Sequence, residues 1–400
     1  MFDLLLAAAW IVYGPAGPIA RTIVTTDECP SITIDGAPAK MRVHSTKSAA
    51  YPVTVCEAAI APHVKSASIG GTPLPIAKLH RSEKVAIVGD TGCRMKMGSN
   101  GKPPSVQDCS DPNKWPFRQV ANAIAKWDPD MVLHVGDYYY REAACTSSTN
   151  CVKAPYNWTR WNADFFTPAA TLLPNAPWVM VRGNHENCTR AAEGWFRFLE
   201  TRNYVWEDVK TCTSNLNYTP PYTLDIGGLS IAVIDSSNAA DNLDTTQVPI
   251  FVNELGHLVK TKPGTWLTLH HPFWADSYGD EDSETMAAAW DKMPVPSLGL
   301  VVSGHIHDLE LLGFTGNQIP QLVVGNGGTA IDPPVSDPTG TVLDGRTVAS
   351  FYQDDDFGFI AATRDGEAWT FDIRSKSGQS QATCVWRAGA AMNCAPTSQP

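Results

Sequence analysis

Six apolar runs in this 400-residue chain end abruptly in residues that could do chemistry: KVAIVGD (84–90), DMVLHVGD (130–137), PWVMVRGNHE (177–186), LSIAVIDSS (229–237), TWLTLHHP (265–272) and LGLVVSGHIHD (298–308). The run ends supply Asp90, Asp137 with Tyr140 just beyond it, Asn184, His185, His270, His305 and His307. That is two carboxylates, a phenol, a carboxamide and four imidazoles. Two buried aspartates side by side repel, and without a counter-charge one must protonate at a cost of several kcal/mol. A pair of cations removes the difficulty, and oxygen and imidazole donors around an open site suit first-row metals.

The stretch LHVGDYYYRE (133–142) sets three phenols after one of these carboxylates. In a tight turn leaving a strand, a side chain three residues on returns to the side of the strand-end residue. Tyr140 is therefore the phenol expected to share a cation with Asp137, while Tyr138 and Tyr139 pack or line the mouth. A phenol with an ordinary pKa of about 10 ligates at neutral or acid pH only to a strong Lewis acid. Coordination then deprotonates it, as it deprotonates bound thiols and waters. Tyr140 points to Fe(III).

Positioning such residues takes strands buried on both faces, because the runs are continuously apolar rather than alternating. Helical patterns lie between several of them, as in PFRQVANAIAKW (116–127) and AAEGWFRFLE (191–200). Strand and helix in alternation predict an α/β architecture, with ligands bound beyond the carboxyl ends of the strands. PQLVVGNGGTA (320–330), FGFIAATRD (357–365) and AWTFDIRS (368–375) read as closing strands. Residues 21–80, short β-type runs broken by Pro and Gly, read as a small N-terminal β region. The division expected is a candidate signal peptide over 1–20, the β region over 21–80, a catalytic domain over 81–375 and a loosely held Ser/Gln/Ala-rich tail over 376–400.

At this point the motifs resemble a known family. GDTG (89–92), GDYYY (136–140), GNHE (183–186), LTLH (267–270) and GHIH (304–307) are similar, in order, to the five blocks of the purple acid phosphatases within the calcineurin-like metallophosphoesterases. The first block has Asp-x-Gly where most of the wider group has Asp-x-His, and the second carries the Tyr. The resemblance implies a metallophosphoesterase-type β-sandwich flanked by helices, in four α/β/β/α layers. It implies that Asp90, Asp137, Tyr140 and His307 hold Fe(III), and that Asp137 bridges to a divalent ion (Zn, Mn or Fe) also held by Asn184, His270 and His305. Pro272 sets the His-x-Pro frame that selects His270 over His271. His185 would contact the phosphate or the leaving group. The reaction implied is hydrolysis of phosphate monoesters by a metal-activated hydroxide, with an acidic optimum. The alternatives are a phosphodiesterase or nucleotidase of the wider group, or a metal-binding surface protein without catalysis. One departure stands out: WADSYGDED (274–282) has no histidine where many relatives place one; either Asp280 or Glu281 serves as the general acid or no residue replaces it.

Other features have blander readings. His134, in mid-strand, is expected to be a hydrogen-bonded buried histidine, and His271 to lie at the rim. The run of aspartates at 354–356 lacks the spacing and glycine of an EF-hand loop and reads as a solvated turn. Asn157, Asn187 and Asn217 open Asn-x-Thr sequons that matter only in a glycosylating host. The net charge of −11, with no basic run, argues against nucleic acid as a partner and leaves small phosphorylated molecules as the expected substrates.

Ten cysteines fall into sequence neighbours, 29/56, 93/109, 145/151, 188/212 and 384/394. Disulfides between neighbours would place the chain in an oxidising compartment, secreted or periplasmic; ten reduced thiols are the alternative. LLLAAAWIVYG (4–14) is too short to cross a membrane as a helix and lacks the basic start of a signal peptide. It reads either as a leader or as a first buried strand.

Overall fold

The computed structural model describes residues 6–98, 103–145, 150–212, 214–277, 282–316, 318–387 and 392–397. Two mixed sheets lie face to face. The first begins with β1 (Leu6–Gly14), β2 (Gly17–Val24), β3 (Arg42–Ser45), β4 (Thr54–Ala59), β5 (Lys84–Val88), β6 (Met131–His134) and β7 (Trp178–Met180). The second holds β8 (Tyr222–Ile226), β9 (Leu229–Val233), β10 (Thr265–Thr268), β11 (Leu298–Ser303), β12 (Leu309–Phe314), β13 (Gln321–Val324), β14 (Val342–Leu343) and β15 (Arg346–Asp354). The chain then returns to the first sheet with β16 (Gly358–Asp365), β17 (Ala368–Ser375), β18 (Ser380–Arg387) and β19 (Asn393–Pro396). The orders are β19-β18-β17-β16-β5-β6-β7-β1-β2-β4-β3 and β8-β9-β10-β11-β13-β12-β15-β14.

The strands that carry the polar ends are parallel neighbours. In the first sheet β5, β6 and β7 pair so that Val88, His134 and Met180 lie level. In the second, β9, β10, β11 and β13 run parallel. Their carboxyl ends therefore open at one end of each sheet, which is where α/β folds bind ligands.

Successive residues of each run serve different cores, as the period of two demands. Val85 and Ile87 face the space between the sheets, with Leu133, Val179, Ile231, Trp266, Leu300 and Leu322. Ala86 and Val88 face outward under α1 (Phe117–Trp127), whose Phe117, Val120, Ala121 and Ile124 form the i, i+3, i+4, i+7 stripe of an amphipathic helix. On the far side, Ala232, Leu267 and Val301 are covered by α2 (Val248–His257) and α3 (Glu284–Lys292) through Phe251, Leu255, Met286 and Trp290. The result is a sandwich of two sheets with helices outside both, the layering expected.

Three expectations about organisation need correction. The apolar run at 4–14 is, over its described part, the strand β1, inserted between β7 and β2 with Trp10, Ile11 and Val12 fully buried. Of the two readings of that stretch, the structure has the buried strand. Residue 80 does not divide one sheet from another, since β2, β3 and β4 extend the main sheet. Only Ser31–Ile34, Ala37–Lys40, Ala67–Ile69 and Thr72–Pro73 form a separate small sheet. The described residues of the expected tail, 376–387 and 392–397, are not loosely held. β18 pairs with β17 and β19, and the Cys384–Cys394 disulfide joins residues in register across the last pair.

The other disulfides are Cys29–Cys56, Cys93–Cys109, Cys145–Cys151 and Cys188–Cys212, the expected neighbours in each case. Five disulfides fit an extracellular or secreted protein. Among the described residues no helix is long and apolar enough to cross a membrane.

Candidate metal centre

The turns that leave β5, β6 and β11 are sharp. Asp90, Asp137 and His305 have φ of 55°, 58° and 77°, a left-handed conformation that costs a residue other than glycine about 1–3 kcal/mol and clusters at functional sites. Backbone cross-links hold these turns against one another. The Asp90 N–H donates to the Gly136 carbonyl at 3.0 Å, and the Thr91 N–H to the Asp137 carbonyl at 3.0 Å. Gly183 packs so closely that a Cβ there would stand 2.1 Å from Asp137 Oδ1, which explains why this turn begins with glycine.

Each aspartate commits one oxygen to backbone and leaves the other to the cluster. Asp90 Oδ2 accepts from the His305 N–H at 3.1 Å, and Asp137 Oδ1 from the His185 N–H at 2.9 Å. The Tyr140 hydroxyl then sits 2.8 Å from Asp90 Oδ1, 2.7 Å from Asp137 Oδ2 and 2.8 Å from His307 Nε2. One proton cannot serve three acceptors. The neighbouring phenols are employed elsewhere: Tyr138 donates to the Val181 carbonyl at 3.0 Å, and Tyr139 lies near the Arg141 and Pro155 carbonyls at 3.2 and 3.3 Å.

His270 donates from Nδ1 to the Val135 carbonyl at 2.8 Å, which leaves Nε2 aimed at Asp137 Oδ2, 3.4 Å away. For His307 to offer Nε2, its Nδ1 must carry the proton, and there Asp332 Oδ2 waits at 3.3 Å. Such partners fix the tautomer of a metal-binding imidazole. Arg94 Nη1, which can only donate, lies nearer that nitrogen, at 3.0 Å, and competes by favouring the tautomer with the lone pair on Nδ1. His185 does not join the cluster through its nitrogens. Its ring lies over Tyr140, centroids 3.8 Å apart, with Arg190 Nη2 2.7 Å from the ring nitrogens and clamped by Glu142 at 2.6 and 2.8 Å.

The electrostatics are those of a site built for cations. Burial, with the Asp137 charge beside it, holds the Asp90 carboxyl well above the carboxylate range. Burial also acts to raise Asp137, but His270, His185 and Arg190 outweigh it and keep that carboxyl well below its usual value. Burial and the two carboxylates push the Tyr140 phenol far up. Burial opposes a charge on His270, yet Asp137 wins and lifts it to about 9. Without a cation, the cluster neutralises itself with protons on Asp90, Tyr140 and His270.

The donors fit a metal. Asn184 Oδ1 and His270 Nε2 are buried with no hydrogen-bond partner, a state that native structures avoid unless something else binds there. Ligand atoms of Asp90, Asp137 and His270 lie within 4.8 Å of one another. His305 falls in a different group: its donor atom lies within the same limit of Asp241 and His271, the latter a residue expected at the rim. Asp280 and Glu281 lie outside the described residues. His134 is buried; its Nδ1 accepts from the Gly136 N–H at 3.3 Å, leaving Nε2 to pair with the Thr91 hydroxyl at 3.0 Å.

Several residues that shape the site carry no signal in its motifs. Buried Glu186 accepts from the N–H groups of Asp137, Tyr138, Tyr139 and Gly183 at 3.0–3.1 Å and so ties two turns together. Buried Asp164, far from any motif, accepts from the Tyr140 N–H at 2.9 Å and the Cys93 N–H at 3.2 Å. Asp332, Arg190 and Asp241 were equally silent. Only Glu186, inside GNHE, stood within a stretch that could have been questioned.

Comparison with known proteins follows the same lines. The chain is similar in fold to purple acid phosphatase PPD1 from yellow lupin (Lupinus luteus) seeds, with 15% identity and a TM-score of 0.61, over 93% of this chain and 72% of that one. It is also similar to PhoD, with 11% identity and a TM-score of 0.57, over 100% of this chain and 94% of that one. No curated protein matches it in sequence with significance. Residues 83–309, more than half of the chain, match the family model described as calcineurin-like phosphoesterase, and with those residues spanning the turns that gather Asp90, Asp137, Asn184, His270, His305 and His307, the chain belongs to the calcineurin-like phosphoesterase family.

Proposed function

We propose that this phosphoesterase hydrolyses phosphate monoesters at an Fe(III)–divalent centre with an acidic optimum, outside the cytosol. The observation that carries the reading is the Tyr140 hydroxyl at 2.7–2.8 Å from two carboxylates and an imidazole. A neutral phenol donates to only one of the three, so the cluster needs further protons on its own groups; a hard trivalent ion would take all four groups as ligands.

In this reading Asp90, Asp137, Tyr140 and His307 would hold iron, and Asp137, Asn184, His270 and His305 would hold a divalent ion (Zn, Mn or Fe). Bound there, the two ions supply an acidified water and neutralise charge on the phosphoryl oxygens. The chain's own residues do the rest. Glu186 and Asp164 fix the turn that presents Asp137 and Tyr140. His185 lies over the phenol ring beside Arg190, and Glu142 keeps the guanidinium in place, so that this pair faces the phosphate or the leaving group. Burial first, and then the Arg190 charge, keep the His185 imidazole well below its usual pKa, so it enters the reaction neutral. Asp280 or Glu281 stays the candidate for protonating the leaving alcohol.

The test is a visible spectrum of the purified protein with iron quantified, followed by turnover of a chromogenic monoester and its diester across a pH series. A mid-visible band with bound iron and a monoester preference in acid supports the reading. A colourless protein holding two zinc or manganese ions and favouring the diester moves it to the wider metallophosphoesterases. No metal and no turnover after loading with iron removes it.

A further inference from the structure

Beside the buried cluster, three further donors converge from three different turns. Asp241 comes from the loop after β9, His271 from the end of β10 and His305 from the end of β11. Asp241 Oδ1 lies 3.3 Å from His305 Nε2 and 3.7 Å from His271 Nε2. The two imidazole rings are 4.1 Å apart at their centroids, and one donor atom from each residue falls within 4.8 Å of the others. Those separations are too long for good hydrogen bonds. They are what three ligands at about 2.0–2.2 Å from a common ion permit.

His271 is 1% exposed, and its Nδ1, the ring nitrogen other than the one that faces Asp241, is buried with no hydrogen-bond partner. No partner there fixes the tautomer, so the lone pair is free to sit on Nε2, the nitrogen that faces Asp241. The backbone of the loop is anchored, since the Glu284 N–H donates to the Asp241 carbonyl at 2.8 Å and the Ser283 hydroxyl to the Ala240 carbonyl at 2.6 Å. The Asp241 side chain itself is 45% exposed, which leaves one face of the triad open to solvent.

We propose that Asp241 and His271, together with His305, form a divalent-cation seat on the outer flank of the centre. Two imidazoles and one carboxylate with open positions suit a first-row divalent ion such as Mn(II), Zn(II) or Fe(II). The inference rests on the reading above only in taking His305 as a ligand of the divalent ion. It adds to that divalent site, on its solvent side, two ligands that no motif block names.

The experiment uses the full chain, stripped with a chelator, loaded with iron and titrated with Mn(II), reading the free-ion EPR signal and counting metals after gel filtration. Asp241→Ala should weaken uptake of the last Mn(II) equivalent by at least about tenfold and leave iron content unchanged; Asp241→Glu should restore part of it. His271→Gln should reproduce the loss. Should that buried variant fail to fold, the exposed Asp241→Ala decides alone. Wild-type uptake that Asp241→Ala leaves intact overturns this inference and spares the dinuclear reading. Loss of iron along with Mn(II) in a folded Asp241→Ala protein also counts against it, since Asp241 would then support the whole centre rather than the divalent ion. A wild-type protein that takes up no divalent ion removes both.

Discussion

Replacing Tyr140 by Phe deletes one oxygen from the centre and nothing else. The ring is 1% exposed, lies 3.8 Å from the His185 ring and keeps that contact as Phe. In the metal-free protein Asp90 is protonated and Asp137 ionised, so the single phenolic proton goes to Asp137 Oδ2, 2.7 Å away. The variant loses that hydrogen bond to a charged group, about 1.5–3 kcal/mol, and the one that the protonated Asp90 makes to the phenol oxygen at 2.8 Å, about 0.5–1.5 kcal/mol, with no cavity large enough to add a packing penalty. The chelator-treated variant should therefore unfold cooperatively in urea, at a modestly lower midpoint and with an unchanged slope. With iron supplied, the visible band should vanish, since the phenolate that donates charge to Fe(III) is gone. Side-by-side urea melts and spectra of the iron-loaded proteins test both parts. A variant that stays coloured makes another phenol the ligand and defeats the argument from the turn. A loss above about 5 kcal/mol would mean that the hydroxyl supports the fold through more than the contact described here.

Two further substitutions probe what surrounds the centre. Asp332→Asn removes the carboxylate facing His307 Nδ1 at 3.3 Å and should weaken the ion held by His307 by about 10–100-fold, read as metal retained after timed chelation; unchanged retention would leave Asp332 without a role there. Glu254, on α2, is 4% exposed, and burial followed by the Asp235 charge pushes its carboxyl up to about 9 from 4.5. The folded chain then keeps a proton that the unfolded chain releases above pH 4.5, so stability falls as pH rises from 4.5 toward 9. By pH 7 the loss is about 3 kcal/mol, from two and a half units at ~1.4 kcal/mol each. Glu254→Gln should flatten that slope and gain stability over the parent at alkaline pH; parallel pH profiles in guanidinium melts would show that Glu254 does not titrate this way.

The amino-acid sequence by itself determined which strands would be buried on both faces and where each would end. An apolar run that stops at a charged residue has few ways to be folded, and parallel pairing brings such ends to one place. That is why Asp90, Asp137, Tyr140 and His307 could be picked out before any contact was known, and why three residues of turn distinguished Tyr140 from Tyr138 and Tyr139. Tertiary structure decided the rest. That residues 6–14 form a strand depends on β7 and β2, the first 166 residues along at the Val12–Trp178 pairing and the second next door; composition does not show it. The C-terminal strands are alike in this: Ser, Gln and Ala have weak strand preference, and their order comes from pairing with β17 and from the cross-strand disulfide. The supports of the centre were hidden for the same reason. Asp332 and Asp241 are ordinary loop aspartates and Asp164 lies in a short helical stretch, and only long-range packing sets Asp164 against the Tyr140 backbone, Asp332 against His307 and Asp241 between two imidazoles. Local sequence encodes what a segment prefers, whereas the partner of a polar side chain is chosen by the fold as a whole.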